Sequence, residues 1–316
     1  MANSATIVVP VYNEEDILEE NTLALHDYLE DSLDDFELLL VENGSMDKTQ
    51  LYAGKLSSMN PKIRTVHLPE PCLGEAIKTG VSEACFDKIV YFPIDLSVNL
   101  SFIPESISLL DSYEIVVGSK KLGMANDNRP FRRRVASTGY HKIVQLAFKT
   151  DLSDTTCVKA YQRSIAQELM GLVPSGSSVF ETEMLLEAER LGVSIAQIPV
   201  DVYDQRIGRL SLRYKMASKG QDLLSLRVDL ISMIVGGILF FTGLFCIAYL
   251  SIQKLVFNKE GFLNPYSFLI SMLLVLFGAQ GIAYGLFARL FLQLRKELIL
   301  TTSDSDSGNV FKEESK

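Results

Sequence analysis

Polar side chains recur where apolar runs stop. Thr6–Val9 breaks at Pro10 and delivers Tyr12, Asn13, Glu14 and Glu15; Phe36–Val41 ends in Glu42, Asn43, Gly44, Ser45 and Asp47; Lys88–Phe92 runs into Pro93, Asp95 and Ser97. Carboxyl ends of strands are where open α/β sheets bind ligands, so three such ends carrying acids point to a ligand crevice. Taken singly, each is also what an ordinary strand, turn and acid-capped helix would look like. A second chemistry lies further on, where Arg129, Arg132, Arg133 and Arg134 precede an expected helix over 135–148. Guanidinium clusters grip phosphate bidentately, and a solvated or membrane-facing charged patch is the alternative.

The elements that must position these residues alternate. Strands are expected near 6–10, 36–42, 63–67, 88–92 and 114–118, with helices such as Asn13–Leu29 and Leu73–Ala84 between them. Gly44 suits a tight turn, and Ser45 or Asp47 the cap of the next helix. Strand-helix alternation gives an α/β fold, a doubly wound, mixed but mainly parallel sheet over residues 1–208.

Apolar content concentrates late in the chain. The runs 230–252 and 266–287 carry no charge and are long enough for a hydrocarbon core of about 30 Å. A short connection makes them an antiparallel transmembrane hairpin within 229–292; two buried core helices are the alternative. Arg209, Arg213, Lys215, Lys219 and Arg227 precede the first run and Arg289, Arg295 and Lys296 follow the second, whereas the connection holds Lys254 and Lys259. The positive-inside rule then puts both termini and the α/β domain in the cytosol, at the plasma membrane or endoplasmic reticulum. Residues 209–228 read as an interfacial juxtamembrane segment against anionic headgroups, or as a solvated charged helix. Gly278, Gly281 and Gly285 form a small-residue face suited to packing within the hairpin or to a homo-oligomer. The tail, 293–316, is expected to be a disordered cytosolic segment.

Other classes lose support. A formal charge of −9 argues against a nucleic-acid partner. Cys72, Cys85, Cys157 and Cys246 are widely spaced, and His26, His67 and His141 lack metal-ligand spacing, so neither zinc site nor disulfide framework is indicated. Nucleophile-elbow and P-loop motifs do not occur, and the N-terminus reads without a signal peptide.

In order and spacing these motifs resemble the family 2 glycosyltransferases of GT-A fold, in the dolichol-phosphate mannosyltransferase and polyprenyl-phosphate glycosyltransferase branch. The likeness covers most of residues 5–215: Pro10, Tyr12, Asn13 and Glu14 match P-x-Y-N-E, Glu42–Thr49 matches D-D-G-S-x-D-x-T, and Leu73–Gly80, Arg129–Ser137, Ser153–Thr155 and Phe180–Leu186 follow in place. The chain departs from the pattern where Pro93 stands for the first aspartate of D-x-D, leaving Asp95, and where Glu42 and Asn43 replace paired aspartates.

The resemblance implies an inverting hexosyltransferase that moves a sugar from GDP-mannose or a UDP-hexose to a polyprenyl or dolichyl phosphate, with Mg2+ or Mn2+ as cofactor. It implies donor contacts from Pro10, Tyr12, Asn13, Glu14, Glu42, Asn43, Lys78 and Asp95, and metal contacts from Asp95 and Ser97. Lys120, Arg129, Arg133 and Ser137 would hold the lipid phosphate; Asp95, Arg133 and Arg206 would carry the chemistry. Asp154 and Glu183 would orient the arginines or the sugar hydroxyls, or serve as a helix cap or buried ion-pair partner. A processive polysaccharide synthase fits less well, since the chain has no tryptophan for Q-x-x-R-W. The competing class is a catalytically idle, membrane-tethered nucleotide-sugar or lipid-phosphate binding protein, with Pro93 as its main argument.

Overall fold

The computed structural model describes residues 3–122, 138–140, 142, 144–145, 148–176, 179–203, 228–255 and 265–313. The chain divides into two compact units, Met1–Asp222 and Leu223–Lys316.

In the first unit the order is β1 (Ser4–Val11), α1 (Leu18–Ser32), β2 (Asp35–Asn43), α2 (Thr49–Met59), β3 (Ile63–Leu68), α3 (Leu73–Glu83), β4 (Lys88–Tyr91), α4 (Phe102–Leu109), β5 (Ile115–Ser119), β6 (Lys159–Gln162), α5 (Arg163–Leu172), α6 (Phe180–Leu191) and β7 (Ile195–Pro199). The strands form one sheet in the order β3-β2-β1-β4-β6-β5-β7. Among the described strands, β6 alone runs antiparallel to its neighbours. Strands buried on both faces need continuous apolar runs, which Ile7–Val9 and Leu38–Val41 supply. Successive side chains point to opposite faces: Ile7, Val9, Leu38 and Leu40 join one core cluster, Val8, Leu39 and Val41 the other. Because β1 pairs with both β2 and β4, the connections reverse direction between β1 and β4, opening a crevice at their carboxyl ends.

The expected α/β sheet is present, with three differences. Helix α1 starts at Leu18 rather than Asn13, because Asn13 adopts φ 53° and residues 14–17 form a turn closed by the Ile17 and Leu18 N–H groups on the Glu14 carbonyl. Strands β6 and β7 were not foreseen; β6 is four residues long and carries a lysine, and β7 ends in proline. Asp47 accepts the Thr49 N–H at 3.0 Å as foreseen, whereas Ser45 bonds to Asn13 instead.

The second unit is α7 (Val228–Leu255) and α8 (Pro265–Glu313). Val228–Leu255 and Tyr266–Phe291 are long and apolar enough to cross a membrane, with mean hydropathies of 2.4 and 1.9. They are not core helices, since Phe241, Phe245 and Phe287 are exposed. The glycine face packs inside the hairpin: a Cβ on Gly236 would lie 2.6 Å from the Ile282 nitrogen, and one on Gly278 would strike the Phe240 backbone. This is the intramolecular arrangement of the two that the sequence left open. Helix α8 extends to Glu313, through residues of the segment expected to be a disordered cytosolic tail.

Candidate active site

The crevice is built by cross-lacing of two loops. After β1, Asn13 takes its left-handed conformation and donates its N–H to Ser45 Oγ at 3.0 Å, while its own Oδ1 accepts the Met46 N–H at 2.8 Å. The Glu14 N–H reaches Thr49 Oγ1 at 2.8 Å, and Glu15 and Asp47 exchange bonds with the opposite backbones at 3.1 and 3.3 Å. Burial pushes the Asp47 carboxyl up, but hydrogen bonds from the Thr49 hydroxyl and N–H and from the Glu15 N–H hold it below its ordinary value. Tyr12 stays 42% exposed at the lip, a free aromatic face beside this rigid turn. Gly44 (φ 66°) lets the second loop pass against a third, since a Cβ there would lie 2.9 Å from the Glu70 carbonyl carbon.

Glu42 and Asn43 sit at the end of β2 but are committed to this scaffold. Glu42 is 1% exposed; its Oε1 accepts the Ser45 N–H at 2.6 Å and its Oε2 pairs with His67 Nδ1. Asn43 Oδ1 accepts the Cys72 N–H at 2.8 Å and so starts α3. On α3, Lys78 places its ammonium 5.8 Å from the Phe180 ring centroid. Pro10 pairs in register with Val41 near the end of β1.

Beyond β4, Asp95 is half-buried, and its Oδ1 accepts the Ser97 N–H at 3.1 Å across Leu96, which adopts φ 48°. The Asn21 amide pins this turn from α1 by donating to the Ile94 carbonyl at 2.9 Å. Non-glycine residues at positive φ persist only where their surroundings over-determine them, and two here face one crevice. Among the described residues no group of three His, Cys, Asp or Glu side chains forms a metal cluster. One carboxylate with an adjacent hydroxyl still suits a hard divalent cation whose other ligands are phosphate and water.

A third group of residues closes the exit of β5 on the entry of β6. Lys120 Nζ lies 3.1 Å from Asp154 Oδ2, with the carboxylate fully buried, and Ser119 Oγ lies 2.6 Å from Ser153 Oγ. Lys120 and Asp154 therefore meet as an ion pair, which is one of the roles left open for Asp154 above. Glu183 is half-buried in the first turn of α6. Arg129, Arg133, Ser137 and Arg206 lie outside the described residues.

Sequence reasoning missed a buried pair behind this crevice. Lys159, fully buried on β6, donates to Glu181 Oε1 at 2.5 Å and to the Cys157 carbonyl at 2.7 Å. Glu181 lines a cavity of about 230 Å³ together with Pro71, Cys72, Tyr140, Thr156 and Thr182. Thr182 Oγ1 contacts the Tyr140 and Thr155 hydroxyls, each at 2.9 Å, and burial raises the Tyr140 phenol above its ordinary value. The available signal was a lysine in an apolar strand and the two acids of Glu181-Thr182-Glu183, which a helix sends to different faces.

Known proteins share the fold of the first unit. The first unit resembles glucosyl-3-phosphoglycerate synthase from Mycobacterium tuberculosis in complex with uridine diphosphate, with a TM-score of 0.51 and 21% identity over 71% of this chain and 79% of that one. A structure of the same enzyme holding Mn2+, UDP-glucose and phosphoglyceric acid matches with a TM-score of 0.50 and 19% identity, over the same shares of the two chains. These likenesses establish the GT-A fold.

Among curated relatives, glycosyltransferase AglD of Haloferax volcanii is 31% identical over 202 residues, 62% of this chain and 32% of that protein. This chain thus spans about a third of that relative. The undecaprenyl-phosphate 4-deoxy-4-formamido-L-arabinose transferase of Photorhabdus laumondii is 23% identical, over 89% of this chain and 86% of that protein. The dolichyl-phosphate beta-glucosyltransferase ALG5C of Trichomonas vaginalis is 25% identical, over 62% and 63%. The family model described as glycosyl transferase family 2 matches residues 6–170, more than half of the chain, from the first strand through the crevice to α5, and the chain belongs to that family.

Proposed function

We propose that the protein transfers a sugar from a nucleotide sugar to a polyprenyl or dolichyl phosphate at the cytosolic face of a membrane. The observation that carries this reading is the convergence of the Asn13–Glu14 turn, the Gly44 turn and Asp95 on one crevice at the β1/β4 switch point. Two of the relatives above are named for lipid-phosphate acceptors, and the two apolar helices suit a protein working at a bilayer. The excess of Lys and Arg outside the hairpin connection supports a cytosolic catalytic unit.

A lipid monophosphate has a second pKa near 6 and is already anionic at neutral pH, so it needs no strong general base. Its oxygen attacks the sugar C1 in line as the C1–O bond to the diphosphate breaks. Configuration at C1 inverts, and the nucleoside diphosphate leaves with the bonding pair. Arg129, Arg133, Ser137 and Lys120 would hold the acceptor phosphate, and Arg206 would face the departing diphosphate. Mg2+ or Mn2+ held by Asp95 and Ser97 would supply charge neutralisation at that diphosphate. The Asp154 carboxylate sets the height of the Lys120 ammonium and so orients one donor to the acceptor. GDP-mannose and UDP-hexoses are both candidate donors.

Transfer of radiolabelled sugar from GDP- and UDP-sugars to dolichyl or undecaprenyl phosphate, with and without Mg2+ or Mn2+, tests the reading. A metal-dependent lipid product that falls by roughly two orders of magnitude in Asp95→Ala is the expected result. Pro93, in place of the first D-x-D aspartate, favours a second reading, an idle nucleotide-sugar binding protein. Donor binding without any lipid product would establish that one instead.

A further inference from the structure

The carboxylate at the end of β2 does not face the crevice. Both Glu42 oxygens accept within the protein, Oε1 from the Ser45 N–H at 2.6 Å and Oε2 from the ring of His67. The two residues are register partners on adjacent parallel strands, and their exposure is opposite: the Glu42 side chain is 1% exposed, that of His67 46%. What the carboxyl end of this strand pair offers to a ligand is therefore an imidazole edge. A carboxylate accepts, so Nδ1 is the donor to Glu42 and Nε2 is left at the opposite edge of a half-exposed ring. Beside it runs the Gly44 turn, in contact with the Glu70–Pro71 backbone, and through Ser45 Oγ the same Glu42 anchor fixes the Asn13 turn.

We propose that His67 is a specificity-determining residue that reads the donor's base, its Nε2 accepting a ring N–H of a uracil or guanine, with Glu42 as the buried residue that fixes the tautomer. The proposal rests on the donor-binding reading above and assigns the base contact to a histidine on β3 rather than to an acid on β2. Adenine and cytosine present an unprotonated ring nitrogen at the corresponding edge and would meet Nε2 lone pair to lone pair. A nucleotide lacking the ring N–H would likewise leave Nε2 without a donor.

Calorimetric titration of the full-length protein in detergent with UDP, GDP, N3-methyl-UDP and N1-methyl-GDP tests this without requiring turnover. In the wild type, methylating the base of the preferred nucleotide is expected to weaken binding roughly tenfold. His67→Ala should weaken the unmethylated nucleotide by a similar factor and should not discriminate against the methylated one, while a melting curve checks that it is folded. A wild type indifferent to methylation overturns the proposal without recourse to any variant. Equal losses for both nucleotides in His67→Ala would reduce His67 to a prop for Glu42, and unchanged binding would remove it from the site; either result overturns the proposal. A wild type that binds neither UDP nor GDP would remove the donor reading itself.

Discussion

Buried charge in this protein is paired between different elements, and each pair has its own consequence. Lys159 and Glu181 meet at 2.5 Å behind the crevice. Removing one partner of such a pair strands the other, so Lys159→Met should cost about 3 kcal/mol in urea denaturation, and adding Glu181→Leu should recover much of it. Glu37 lies at the other end of the sheet. Burial pushes its carboxyl up, but the Cys85 N–H, the Thr6 hydroxyl and Arg64 together hold it below the ordinary 4.5. A carboxyl depressed in the folded state contributes stability above its unfolded pKa and loses it as pH falls through the folded value. The stability gap between wild type and Glu37→Gln should therefore be full at pH 6 and shrink as the pH drops below about 4.5. Burial also pushes the Cys157 thiol up to about 11, so alkylation at pH 8 followed by mass spectrometry should leave Cys157 unmodified in the folded protein.

Elements that declare themselves by long apolar periodicity were legible in the sequence; those fixed by their neighbours were not. Strands β1 to β5, α3 and the hairpin announce themselves through Ile7–Val9, Leu38–Val41 and the uncharged runs. Strand β6 carries Lys159, whose charge is tolerated only because Glu181 arrives from a helix twenty-two positions later, a long-range fact that no local window contains. The same holds for the site. The acids at strand ends could be found from the sequence, yet the inward turn of Glu42 depends on His67, 25 residues away. In the hairpin, Gly278 is needed because the Phe240 backbone occupies the space of a side chain, whereas Gly237 has nothing within 4 Å. Gly278→Val should lower the melting temperature in detergent by several degrees, with Gly237→Val as the silent comparison.

At the scale of the whole molecule, the α/β unit carries both core clusters within its own sheet and helices. A chain of residues 1–222 should therefore fold cooperatively, measurable by circular dichroism, and bind nucleotide with the affinity of the full chain. Its transfer to a lipid acceptor in vesicles should drop more than tenfold, since the hairpin raises the local concentration of acceptor. The antiparallel course of β6 has one more consequence. It returns the chain to the crevice beside the point where β5 left it, and the Ser119–Ser153 and Lys120–Asp154 contacts tie that excursion shut at its base. A closed stem of this kind separates inheritance of the sheet from inheritance of what hangs on it. Each doubling of the intervening length adds only about 0.6 kcal/mol of closure entropy, so the segment from Lys121 to Leu152 can change in length at little cost to the sheet. Under the proposed function, acceptor choice would then be separable from the sheet that carries the donor.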